Sequence, residues 1–169
     1  TAAKTRVFYD RRGSVTKADI VLDPTGQFST DGTFGTFDLQ TVLTHEIGHA
    51  LGLRHTNVIG SLMNANVERN GASGSVRSDL IGLSDEDISA IRSRYGAPIG
   101  VDCCGSIFGK AIGAISASKQ TTVWAEDEMG RTIASTLIES DRTYRLNGLL
   151  PGTYRVFWTD SLLNGSGTV

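Results

Sequence analysis

Three histidines, His45, His49 and His55, stand close together in the chain, with Glu46 directly after the first. They are all the histidines it has. His45 and His49 are four residues apart, a spacing that puts both side chains on one helix face, one turn apart. Two imidazoles so placed reach one small cation. Glu46 on the same helix reaches a water on that cation without being a ligand itself. A third imidazole six residues after His49 cannot meet the same cation if the helix runs on. The chain has to turn, and Gly52 permits backbone angles that a side chain resists. His55 then comes round as the third ligand. Three neutral ring nitrogens with one position left open form the zinc arrangement that catalysis uses. Chance occurrence of this pattern, with its glycine and third histidine at fixed offsets, is on the order of 10⁻⁵ for such a chain. Incidental surface or core histidines are therefore the weaker account.

The elements that must position these residues follow from periodicity and turn chemistry. Asp38 has the character of an N-cap. Leu39, Val42, Leu43, Ile47, Ala50 and Leu51 recur at helical spacing and predict a helix over 39–53 with that face buried, ended by Gly52. Before it, Arg6–Tyr9 and Ala18–Leu22 are β-prone runs around the turn-forming Asp10-Arg11-Arg12-Gly13-Ser14, which predicts a hairpin. Residues 25–37, rich in Gly, Thr and Ser, read as loop. Residues 56–82 lack a period and read as irregular. Ser84 followed by Asp85-Glu86-Asp87 predicts a second helix start. Ile88, Ile91 and Tyr95 form its apolar spacing, and Gly96 and Pro98 stop it. From Gly105 the texture changes to short alternating runs at 122–125, 132–137, 143–146 and 154–159, separated by turns, which predicts a small antiparallel sandwich.

His45 to His55, read as HEIGHALGLRH, resembles the zinc signature of the metzincin peptidases, most closely the matrixins. Met63 lies eight residues after His55 in Ile59-Gly60-Ser61-Leu62-Met63, a spacing similar to the matrixin Met-turn. The resemblance implies that this side chain packs beneath the metal. Asp38-Leu39-Gln40, Leu83 to Ile88 and Tyr95-Gly96 are also similar to the matrixin pattern, so that the likeness covers roughly residues 5–97. It implies an α+β fold: a mixed sheet with an active-site helix and a C-terminal helix. It further implies a zinc-dependent endopeptidase in which His45, His49 and His55 hold the metal, Glu46 is the general base, and Gly52 and Met63 support the site. Protein or peptide is the implied substrate, laid along a strand edge that Ala18–Leu22 would help to frame. Animal matrixins carry a second, structural zinc on further histidines before the helix. This chain has none there, and no such site is expected. Asn64-Ala65 replace a proline common in relatives, and residues 64–82 are the expected pocket wall.

Gly148-Leu149-Leu150-Pro151-Gly152-Thr153-Tyr154, with Thr143 and Tyr144 before it, resembles the turn of carboxypeptidase regulatory-like, transthyretin-like β-sandwich modules. The resulting division is a catalytic domain over 1–98, incomplete at its N-terminus, a linker over 99–104 and an all-β sandwich over 105–169. An inactive metzincin-like adhesion protein is the alternative reading, although ligands and base are all present.

Composition narrows the field. The chain of 169 residues is 39% hydrophobic and 20% charged, with net charge -2. That suits a folded core and gives no basic stripe for nucleic acid. No apolar run approaches the roughly 18 residues that span a bilayer. The opening without Met and the strand-like ends suggest a piece of a longer precursor, with any export signal or pro-segment out of view. The appended module, by analogy with secreted hydrolases, points to a secreted or periplasmic and bacterial protein. Cys103 and Cys104 fit no C-x-x-C pattern. They read as two thiols, as links elsewhere, or as a bond between neighbours. Asp23, Asp31 and Asp38 offer carboxylates for calcium, or serve as solvated caps. Cleavage preference and oligomeric state have no sequence signal.

Overall fold

The structure is a computed structural model. It describes residues 2–58, 60–72, 82–112 and 121–159. It divides into two compact units, Thr1–His55 with Leu62–Gly82, and Thr56–Ser61 with Leu83–Val169.

In the first unit, β1 (Ala3–Tyr9) and β2 (Val15–Leu22) form an antiparallel hairpin, with Ala3 opposite Leu22 and Phe8 opposite Lys17. The connecting turn is set by Asp10, whose Oδ1 accepts from the backbone N–H groups of Arg12 and Ser14. The expected loop over 25–37 holds a minimal parallel pair, β3 (Phe28–Ser29) and β4 (Phe37–Asp38). Helix α1 (Leu39–Ala50) follows at once. Asp38 caps it as expected, its Oδ1 accepting from Thr41 N–H at 2.7 Å. Ala2, Ala3 and Val42 form the core here, with Leu22, Phe28, Phe37 and Val67 packed against them.

The buried residues of α1 differ from the apolar spacing in the sequence. Val42, His45, Glu46 and Gly48 are buried, whereas Ile47 is 48% and Leu51 40% exposed. Val42 of the apolar stripe is buried and Leu39, Leu43 and Ala50 are half-buried, so the polar site residues take the inward side together with part of the stripe, and its Ile47 and Leu51 edge faces outward.

In the second unit, α2 (Asp85–Tyr95) carries a capping box. Ser84 Oγ accepts from Asp87 N–H, and Asp87 Oδ2 accepts from Ser84 N–H. Its buried residues are Glu86, Asp87 and Ser89, while Tyr95 is 59% exposed. The most deeply buried positions are thus polar, while Ile88 and Ile91 of the expected apolar spacing are half-buried. The reason is a polar set of partners: Ser61 donates to Asp87 Oδ1, Ser135 donates to Glu86 Oε1, and Ser89 donates to the Asn147 carbonyl. Two sheets follow. One pairs β5 (Gly105–Lys110) with β8 (Thr143–Leu149). The other orders β7 (Thr132–Leu137), β6 (Thr122–Glu126) and β9 (Arg155–Thr159) with β6 central. Val123, Ala125, Ile133, Ala134, Leu146 and Leu149 from both sheets make one core. Trp124 points to the other face, where Val58 and Phe157 cover it. The turn before β9 is pinned by Tyr154, whose hydroxyl donates back to the Leu150 carbonyl at 2.9 Å, as in a tyrosine corner. α2 packs on β7 and β8, so compactness does not divide the chain at residue 98, where composition changes. Cys103 and Cys104 are joined as a disulfide between neighbours across a cis peptide bond. Residues 160–169 of the expected sandwich lie outside the described residues.

Candidate metal centre

α1 presents His45 and His49 one turn apart, and the chain turns away immediately after it. Leu51 N–H still bonds to the Ile47 carbonyl, Gly52 takes φ +83°, and Leu53 N–H closes on the Gly48 carbonyl. The positive φ reverses the path as the sequence requires. His55 returns to the first two histidines: its Nε2 lies 3.2 Å from His45 Nε2 and 3.0 Å from His49 Nε2. Among the described residues these three make up the group able to supply three ligand atoms to one ion.

The other ring nitrogens decide what the converging ones can do. His45 Nδ1 is 2.7 Å from the Leu62 carbonyl, and His49 Nδ1 is 2.9 Å from the Leu53 carbonyl. A carbonyl only accepts, so both Nδ1 atoms carry the proton and both Nε2 atoms present lone pairs. A neutral His55 has at most one proton to offer two lone pairs. A cation shared by all three removes the conflict. Across a tetrahedral zinc with bonds near 2.0 Å the nitrogens would stand roughly 3.3 Å apart, close to the two separations found. The donor set therefore fits zinc, and the carbonyl bonds are the outer support that such ligands use. Burial, then the neighbouring His49 and His45, hold the His55 pKa below the ordinary histidine value, against a smaller opposing pull from Glu46. That favours the neutral ring a metal needs.

Met63 is 2% exposed and lies under α1. A Cβ built on Gly48 would collide with its sulfur. Gly48, an unspecified position in the histidine motif, thus lets Met63 approach the helix between the two ligands. The only signal for it in the sequence is its small size.

Glu46 is 4% exposed. Its Oε2 accepts from the Thr5 hydroxyl at 2.5 Å, and the same hydroxyl lies 3.0 Å from its backbone carbonyl. Thr5 carries no motif and escapes a reading of the sequence. A cleft of about 540 Å³ is lined by Ala2 to Thr5, Phe37, Val42, Ala65 to Val67, Glu46 and the three histidines. The strand that frames it is β1; Ala18–Leu22 of β2 do not line it. Of the expected wall over 64–82, Ala65, Asn66 and Val67 take part, and 73–81 lie outside the described residues. The three candidate calcium carboxylates have local tasks. Asp23 and Asp31 accept from Thr25 and Thr33 in turns, which lowers the pKa of each, and Asp38 caps α1.

The sequence profile of the matrixin family matches residues 6–96, a stretch that contains the three histidines, Glu46 and Met63. Metalloendoproteinase 1 of Glycine max is 37% identical over 60 residues, which are 36% of this chain and 17% of that protein. The chain thus spans under a fifth of the length of this relative. No solved structure matches the chain. No helix among the described residues is long and apolar enough to cross a membrane.

Proposed function

The chain belongs to the matrixin family, and from that membership we propose that it is the catalytic part of a zinc-dependent endopeptidase, with His45, His49 and His55 as ligands and Glu46 as general base. The observation that carries this reading is the convergence of three Nε2 atoms whose partner nitrogens are committed to carbonyls. Zinc, when bound, supplies Lewis acidity, which polarises the scissile carbonyl and brings the pKa of water towards neutrality. The chain does the rest. Leu62 and Leu53 hold the ligand rings in one tautomer, and Gly52 brings His55 into place. Met63 fills the space beneath. Glu46 takes the proton of the attacking water and delivers it to the leaving amine.

An extended peptide is the substrate this cleft suits. β1 has β2 as its one strand partner among the described residues, and residues Ala3–Thr5 border the cleft. A substrate strand pairing there by backbone hydrogen bonds would lie across the ligands, as in β-augmentation. Residues 105–169 are proposed as an appended sandwich module, and export from the cell suits such a peptidase.

The test is digestion of casein by the full-length protein, with and without a chelator, beside Glu46→Gln. Removing a general base costs about 100-fold or more in turnover, with zinc retained. Turnover by Glu46→Gln close to that of the wild type refutes the base assignment. Chelator-resistant digestion refutes the metal's role, and absence of digestion by the wild type favours the adhesion reading.

A further inference from the structure

Thr5 sits at an inward position of β1. Ala3, Thr5 and Val7 alternate with the exposed Lys4, Arg6 and Phe8, so Thr5 belongs to the stripe that faces α1. Valine would fill that position with nearly the same volume. A hydroxyl placed there has to find a partner, because an unpaired polar group away from water is costly. It has two within reach, Glu46 Oε2 at 2.5 Å and the Glu46 carbonyl at 3.0 Å, and one proton to give. Inside a helix that carbonyl takes the amide four residues on as its own partner. The carboxylate is the shorter and the charged acceptor, and hydrogen bonds to charged groups are the stronger ones.

We propose that Thr5 is a positioning residue for the general base: its hydroxyl holds Glu46 Oε2, fixing the carboxylate plane in the cleft and leaving Oε1 to receive the proton. This inference rests on the peptidase reading above. A carboxylate on two rotatable side-chain bonds beyond Cβ samples several orientations, and a fixed second oxygen removes most of them. Small losses of alignment at reacting groups have large effects on rate. The competing account is mechanical: the hydroxyl merely ties β1 to α1 through the backbone carbonyl.

Three variants in the full-length protein separate the accounts. Thr5→Val removes the hydroxyl at constant shape, Thr5→Ser keeps it, and Glu46→Ala removes its acceptor. Positioning predicts that Thr5→Val lowers kcat about tenfold with KM changed by less than about twofold, zinc content unaltered and Thr5→Ser close to wild type. A second readout uses metal-free protein. The loss of Tm caused by Thr5→Val should shrink by at least about half in the Glu46→Ala background, because coupled neighbours are not additive. Wild-type kcat in Thr5→Val, or an undiminished loss of Tm beside Glu46→Ala, overturns the inference while leaving an active wild type to support the peptidase reading. An inactive wild type overturns both.

Discussion

Glu86 gives the sharpest numerical consequence of this structure. It lies on α2 with 6% exposure, and burial, assisted by the adjacent Asp87, pushes its pKa up to about 7 against the hydrogen bonds from Ser135 and Ser61. The network has a matching proton pattern. Ser61 has one hydroxyl proton, and its Oγ lies 2.7 Å from Asp87 Oδ1 and 3.2 Å from Glu86 Oε2. If that proton goes to Asp87, a protonated Oε2 donates to Ser61 Oγ while Oε1 accepts from Ser135. An acid whose folded pKa is raised binds its proton more tightly folded than unfolded. Its penalty is absent below about pH 4.5, grows as pH rises through about 7 and is complete above that. A shift from 4.5 to about 7 corresponds to about 3 kcal/mol of stability lost across that window. Glu86→Gln keeps an acceptor for Ser135 and a donor for Ser61 without titrating. Both tryptophans, Trp124 and Trp158, lie in the second unit, so fluorescence-monitored urea unfolding reports on the unit that contains Glu86. Wild type should lose about 2.5 kcal/mol between pH 5 and pH 8, the remainder being lost below pH 5, and Glu86→Gln should lose much less. Equal pH dependence in both proteins refutes the argument.

Two further outcomes follow from local geometry. Gly48→Ala drives a methyl group into the Met63 sulfur, and overpacking of this kind should cost about 1–3 kcal/mol, measured by thermal unfolding together with zinc retention. Asp38→Ala leaves the Thr41 N–H without its cap and should cost about 1 kcal/mol, measured by urea unfolding of the zinc-loaded protein.

The candidate centre was legible where its logic is local. Four-residue spacing, a glycine at the turn and a third histidine lie within eleven residues, and helix geometry alone converts them into convergence. The caps Asp38 and Ser84 were legible for the same reason, since each acts within its own first turn. What escaped depends on partners far away in sequence. Thr5 meets Glu46 across 41 residues, a contact set by how β1 lies on α1. The inward residues of α2 are acidic because hydroxyls of Ser61 and Ser135 await them, and no periodicity announces that. Ile47 and Leu51 have helical apolar spacing yet stand exposed, because the site residues determine which side of α1 turns inward. β5, rich in glycine and lacking clear alternation, shows itself only through its pairing with β8.

The central claim is that three imidazoles, rather than two, share one ion. Elemental analysis of purified wild-type protein and His55→Ala after identical dialysis tests it most directly. The account predicts about one zinc per chain in the wild type and a small fraction of that in the variant, since a structural carbonyl clamp on His45 and His49 supplies only two ligands. A wild type without zinc, or a variant that retains the wild-type content, contradicts it.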